Sequence, residues 1–273
     1  MSRPERPIAS DWLALRRPAD ERAREASRPL LDALADHFTP SRAAAPVHVI
    51  DIGAGTGANL AWLAPRLRFR QTWTLLDHDP DLLGLIPQPG GGPVEHIDRV
   101  VAGIEDLPTL GRDADGPVLL TCSAVLDLLG MPQLEGLCDY LVDRNIPALL
   151  SLSVVGDVEL SPVHPSDALV NTAFNVHQGR DGLAGPLAVG QAAERLRAGG
   201  MQVQTAETPW ALGSDDRDLM DRYLRDRAEA VVEQDPALAS PVATWLADRL
   251  AEVRTGRLHL TVGHRDLLCL PPH

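Results

Sequence analysis

Hydrophobic and polar positions along this chain repeat with two different periods. From Asp11 to His37, Trp12, Leu15, Leu30, Leu31 and Leu34 recur at helical spacing, with Phe38 just beyond. Pro18 and Pro29 are expected to divide this stretch into two or three short helices. A Pro/Ala linker, TPSRAAAP, follows. VHVIDIG then reads as a strand, GANLAWLAPRL as a helix, and QTWTLLDHD as a second strand. DPDLLGLI is a short helix cut off by PQPGGGP. IDRVVAGIEDLP contains a short strand, GPVLLTCSAV a buried one, MPQLEGLCDYLVDR an amphipathic helix, and IPALLSLSVV a further strand. Near-continuous Val/Ile/Leu runs separated by helices predict a parallel sheet covered on both faces.

The second half is less regular. GDVELSPVHPSDALVNTAFNVHQGRDGLAGPL reads as polar and rich in loops. VGQAAERLRAGG reads as a helix and MQVQTAETPW as a strand, the region from about Asp215 to Val253 is helical, and GRLHLTVGHRDLLCLP alternates as a closing strand. His259 and His264 on that strand are expected to face solvent or a neighbour.

Composition narrows the class. With 273 residues, 44% of them hydrophobic, the chain can build one sizeable core, or one domain with an added cap. A formal net charge of -13 argues against a broad nucleic-acid footprint and gives no support for docking on an anionic membrane. Cys122, Cys138 and Cys269 form no CxxC pair, so three buried thiols in a reducing cytoplasm are expected, with neither zinc nor disulfide. The N-terminal stretch is too charged for a signal peptide, and no 18-residue apolar run occurs. The chain is expected to be soluble and cytoplasmic.

The stretch VHVIDIGAGTGANL carries the candidate chemistry. Glycines at 53, 55 and 57 belong where backbone turns tightly and a ligand approaches the main chain. Read as G-x-G-x-x-G/A, the loop offers Gly53, Gly55 and Ala58, with Asp77 further on, which fits a dinucleotide site. Asp51 changes the weighing, because a carboxylate beside the loop would repel a pyrophosphate and attract an ammonium or sulfonium centre. No Gly-Lys-Ser/Thr follows, so a triphosphate loop is excluded. The residues call for a cationic, ribose-bearing ligand.

On these motifs the chain resembles the class I S-adenosylmethionine-dependent methyltransferases. DIGAGTG from Asp51 to Gly57 matches their first motif, Asp77 in TLLDHDP the acid at the end of strand two, and AGIEDLP the short acidic stretch after strand three. The resemblance covers roughly 47–155. It implies a Rossmann-like α/β fold, a seven-stranded, mostly parallel sheet with helices on both faces and a helical cap. It places Asp51 near the methionine amino group of S-adenosyl-L-methionine, Gly53, Ala54 and Gly55 beneath it, Asp77 on the ribose hydroxyls, and His78 beside the adenosine. Ile104 and Glu105 or Asp106 would flank the adenine, although Gly103 stands where many relatives carry an acid. Asp51 and Asp77 also read as plain loop caps, and IEDLP as an ordinary turn.

Ser123 and Asp127 fall near the carboxyl end of a central strand, where open α/β sheets bind ligands. Ser123 is a candidate cofactor contact. Asp127 either faces the acceptor or caps the next helix. TCSAVLDLLG lacks the Asn-Pro-Pro-Tyr of amino methyltransferases that act on bases, and Cys122 lacks a preceding proline, so the acceptor is expected to be a small molecule. Asn175, His177 and Gln178 lie in the dense polar segment after strand five, where the fold carries its substrate insertion. His177 is the candidate base or orienting group, Asn175 and Gln178 candidate acceptor contacts, and no metal cluster is evident. Residues 1–45 are expected to form a helical cap on a 46–273 domain, with substrate-side insertions at 156–190 and 214–255. A homodimer is compatible with the sequence. Two other readings stay open: an NAD(P)-linked oxidoreductase and a non-catalytic cofactor-binding protein.

Overall fold

The computed structural model describes residues 9–39, 45–87, 92–110 and 116–272. The first eight residues, most of the Pro/Ala linker (40–44) and the glycine-rich stretch at 88–91 lie outside the described residues. The helices are α1 (Ser10–Arg24), α2 (Arg28–Phe38), α3 (Ala58–Leu63), α4 (Pro80–Gly84), α5 (Leu107–Leu110), α6 (Met131–Arg144), α7 (Asp167–Gln178), α8 (Ala188–Ala198), α9 (Arg217–Gln234) and α10 (Ala239–Thr255). The strands are β1 (Val47–Ile52), β2 (Gln71–Asp77), β3 (Val94–Val101), β4 (Val118–Ser123), β5 (Ala148–Ser161), β6 (Gln202–Glu207), β7 (Trp210–Leu212) and β8 (His259–Leu270).

The strands form one sheet in the order β3-β2-β1-β4-β5-β8-β6, with β7 pairing β8 beyond β6. β1 to β5 run parallel, while β8 is antiparallel to β5, β6 and β7. The stretch expected as one strand, MQVQTAETPW, is two pieces of a single sheet edge. Pro209, which has no N–H to give, separates them, and the Thr208 amide bonds the His264 carbonyl at 2.9 Å. The eight strands therefore occupy seven positions across the sheet.

Two further expectations are corrected. Pro18 does not divide the first helix, since α1 runs unbroken through it. Pro18 and Ala14 are both exposed, so the carbonyl deprived of its helical partner lies on the solvent side, where water can serve it. The segment after residue 155 is not mainly loop. β5 continues to Ser161 against β8 out to His259, and α7 is a regular 12-residue helix. The polar side chains that suggested a loop alternate along the outer half of β5, giving an alternating burial pattern there. Of the two histidines expected to face solvent or a neighbour, His264 meets a neighbour, 2% exposed and packed against the Trp210 ring at 4.9 Å, and His259 is exposed.

Two apolar clusters cover the sheet faces, one built with α6 and α8 and the other with α2 and α3. A third joins α1, α7, α9 and α10 to the outer halves of β5 and β8 and to β7, forming a cap beyond the carboxyl end of the parallel strands. Trp245 of α10 is its anchor, fully buried with its Nε1 donating to Asp167 Oδ1 at 2.8 Å. The three cysteines are free and buried, and burial pushes the Cys138 and Cys269 thiols up to about 12. Among the described residues no helix is long and apolar enough to cross a membrane.

Candidate functional site

The glycine loop joins β1 to α3 at the carboxyl edge of the sheet. Gly53 and Gly55 have φ of 64° and 52°, which disfavours other residues. A Cβ on Gly53 would lie 2.7 Å from the Val125 side chain, and one on Gly55 would meet Leu13 of α1 at 3.4 Å. The loop is pinned to β2, with the Ala54 amide bonding the Leu76 carbonyl at 2.9 Å and the Gly55 amide donating to Asp77 Oδ2 at 2.7 Å. Asp77 Oδ1 accepts from the Asp79 amide at 3.0 Å and lies 3.3 Å from His78 Nδ1. Asp77 is 6% exposed, whereas the His78 side chain stands largely in solvent.

Asp51 is wholly buried. Its Oδ1 accepts from Asn59 Nδ2 at 2.6 Å, and its Oδ2 has no partner. Burial pushes its carboxyl up to about 7, against the pull of Asn59 and of the Arg24 guanidinium. Asn59 Oδ1 in turn accepts from Arg24 Nη2 at 2.9 Å. Arg24, at the end of α1, is 2% exposed, lies 3.9 Å over the Trp62 ring, and leaves its Nε unpartnered. Burial lowers its pKa, and Asp266, Asp51 and Asp20 oppose that shift. One asparagine thus bridges a buried cation and a buried carboxylate, each with a bare atom. A cavity of about 20 Å³ between α1 and α3 touches Arg24, Asn59 and Ser123.

Arg24, Asn59 and Asp266 were not legible as site residues. Arg24 sits in the charged run ADERAREAS, which looks like a solvated helix face. It is buried because Trp62 of α3 offers a ring to stack on and Asn59 an acceptor. Asp266 is also fully buried and accepts from Ser27 Oγ (2.6 Å), the Leu152 amide (2.7 Å) and Thr208 Oγ1 (2.9 Å). It ties α2's leading turn to β5 and β8. At Leu152 β5 slips register and takes a φ of 53°, and Ala124, after β4, takes 57°. Such strain clusters at functional sites.

The expected adenine segment follows β3. Ile104 is half-buried and packs on the α6–α8 core, and the exposed Glu105 folds back so that its carboxyl fills the space a Gly103 side chain would need, 2.5 Å from its Cβ position. Asp127 lies on a short turn between β4 and α6, where burial pushes its carboxyl up to about 6, opposed by its own amide and by Arg16. Asn175, His177 and Gln178 are helical, on α7 in the cap. Asn175 Nδ2 donates to the Gly156 carbonyl at 3.0 Å, and its Oδ1 is unpartnered. His177 Nε2 lies 3.2 Å from Glu233, also contacts Arg180, and the ring stacks on Phe174. The structure therefore bonds the glycine loop directly to Asp77, ties Asp51 through Asn59 to Arg24, sets Ser123 on the same cavity as Arg24, and gives His177 partners within the cap.

No protein-family model matches the chain, and no curated protein matches it. Solved structures similar to it include a mycolic acid cyclopropane synthase complexed with S-adenosylhomocysteine, at 14% identity over 88% of this chain and 83% of that one, with a TM-score of 0.44. The plantazolicin methyltransferase in complex with S-adenosylhomocysteine aligns at 11% identity over 95% and 92%, TM-score 0.44. A Haemonchus contortus phosphoethanolamine N-methyltransferase aligns at 11% over 88% of this chain and 53% of that one, TM-score 0.43. The stronger observation is the strand order itself: five parallel strands, then an antiparallel β8 lying between β5 and β6. That reversed hairpin closes the Rossmann-like, mostly parallel sheet, with helices on both faces and a helical cap, that the sequence motifs led to expect.

Proposed function

We propose that the protein binds S-adenosylmethionine at the carboxyl edge of β1 and β2 and transfers its methyl group to a small-molecule acceptor. The observation that carries this reading is the pair of bare buried atoms, Asp51 Oδ2 and Arg24 Nε, bridged by Asn59. Buried charges with unfilled valences call for a ligand that completes them. One bearing an ammonium and a carboxylate at the same end, as the amino-acid part of this cofactor does, offers Asp51 a cation and Arg24 an anion. Gly53, Ala54 and Gly55 would form its backbone floor, Asp77 would take the ribose hydroxyls, and His78, Ile104 and Glu105 would border the adenosine, with Ser123 beside the methionine.

When bound, the cofactor supplies an electrophilic methyl group on a sulfonium, so the chain's own task is largely to position and to exclude water. The cavity beside Arg24 is far smaller than such a ligand, and Leu13 lies against Gly55. In this reading α1 moves outward on binding. α1 and the segments 156–190 and 214–255 would then enclose the acceptor, while α2 packs on the sheet face instead of capping it, with Asp127, Asn175 and Gln178 on the acceptor side and His177 orienting or taking its proton. The -13 charge and three buried thiols support a cytoplasmic setting without nucleic acid.

Calorimetric titration with S-adenosylmethionine, S-adenosylhomocysteine and NAD tests this. Micromolar binding of the first two, lost in Asp77→Ala and in Arg24→Met, is the expected outcome. Binding of NAD alone would replace methyl transfer by an oxidoreductase.

A further inference from the structure

Three arginines of the described residues are buried: Arg24, Arg227 and Arg249. Arg249 is neutralised although fully buried, bonded to Asp167, to Glu252 at 2.6 Å and to the Pro162 carbonyl at 2.7 Å, with its Nε left bare. Arg24 has three aspartates within electrostatic reach. Arg227, on α9 and 3% exposed, differs from both. Its guanidinium donates to Tyr223 Oη at 2.9 Å and to Asn171 Oδ1, and it lies 4.1 Å over the Phe174 ring. All three partners are neutral. Asp167 is the carboxylate that influences it, and that group is already shared among Arg249, Trp245 and the His164 amide.

A buried cation without a bonded anion is rare in a finished core, because nothing offsets its lost hydration. The surroundings here are specific. Asn171 and Asn175 both hold the Gly156 carbonyl, at 3.2 and 3.0 Å, which fixes α7 on β5 and leaves Asn175 Oδ1 unpartnered. Tyr223 reaches the Trp210 ring at 6.3 Å, and Phe174, Tyr223 and Ala124 pack on the same apolar cluster. Ala124 directly follows Ser123, so the guanidinium belongs to the cap cluster that adjoins the proposed cofactor site.

We propose that Arg227, with the Tyr223 hydroxyl and Asn171, is an anion-binding site of the cap, and that the acceptor is a small organic acid anchored there by a carboxylate. A guanidinium presents paired N–H donors that match a carboxylate, and the tyrosine hydroxyl can turn to donate to it. Phe174 is the cover that the entering acid displaces. The word acceptor rests on the methyl-transfer reading; the anion site does not.

The test uses the full chain, with succinate, citrate and benzoate as probes, their neutral amides as controls, and inorganic sulfate as a general anion, each with and without S-adenosylhomocysteine. At least one carboxylate is expected to raise the melting temperature of the wild type while its amide and sulfate do not. Arg227→Met should weaken that carboxylate at least tenfold and leave S-adenosylhomocysteine affinity within twofold. Arg227→Lys keeps the charge and is expected to retain part of the response. No response to any carboxylate, an equal response to sulfate, or an undiminished response in Arg227→Met would overturn the proposal. Carboxylate binding through Arg227 without S-adenosylhomocysteine binding would keep the anion site and sink methyl transfer. The converse result would sink the anion site alone.

Discussion

Asp51 and Asp167 are both carboxylates drawn into this protein, and their surroundings separate machinery from scaffolding. Burial acts to raise each pKa. At Asp167 it is outweighed by Arg249, the His164 amide and Trp245, and the carboxyl ends below its ordinary range. At Asp51 one asparagine and a more distant arginine leave it at about 7, with one oxygen bare. A carboxylate whose lone pairs are filled fastens α7 to α10; one left half filled, beside a half-filled arginine, is poised for a ligand.

The sharpest way to break this comparison is to remove each carboxylate. Asp51→Asn should weaken S-adenosylmethionine by about 2–5 kcal/mol, as expected when one member of a buried charged contact is lost. Asp167→Asn should leave that affinity unchanged and instead cost about 1–3 kcal/mol of stability, because Arg249 loses one of its two carboxylates and keeps Glu252. Calorimetry and urea unfolding on both variants would read the two effects. Tighter NAD binding in Asp51→Asn would favour the oxidoreductase. Asp77→Ala comes next, with about 2–3 kcal/mol of cofactor affinity lost through bonds to a charged acceptor.

The third test is pH. An ammonium ligand needs Asp51 ionised, so binding near pH 6 should release close to one proton, and affinity should fall about tenfold per unit well below pH 7. Titration in buffers of different ionisation enthalpy would detect the proton. Without ligand the sign reverses. Asp51's folded pKa lies above its unfolded value, so its contribution to stability is full at acid pH and is lost as pH rises through about 7. His264 runs the other way: burial, aided by Arg16, lowers it to about 3, so its contribution is present above about 6.5 and is lost as pH falls. Stability curves of Asp51→Asn and His264→Phe should therefore each lose one limb, the alkaline fall in the first and part of the acid fall in the second.

The smallest effect is expected at His177→Ala. Its Glu233 partner is half exposed and screened by water, so losing the pair should leave the melting temperature almost unchanged, and S-adenosylhomocysteine affinity should stay within twofold. A large loss of cofactor affinity in that variant would bring α7 onto the cofactor edge and erase the distinction between the two regions.

Periodicity alone determined the parallel half of this protein. Near-continuous apolar runs in β1, β2 and β4 point to strands covered on both faces, and glycines at 53 and 55 suit left-handed backbone wherever they stand in space. The position of Asp51 at a strand end is equally local. The cap was less legible because its signals are local and ambiguous. Polar residues alternating on β5 look like loop until β8 pairs with them, and a proline in α1 is tolerated only because its face is solvated. The burial of Arg24, Asp266, His264 and Arg227 depends on which ring, helix end or strand arrives beside them from far away in sequence. Charge in a helix is by itself no sign of burial. Only the tertiary structure decides where water is absent, and with that which charged groups are left needing a partner.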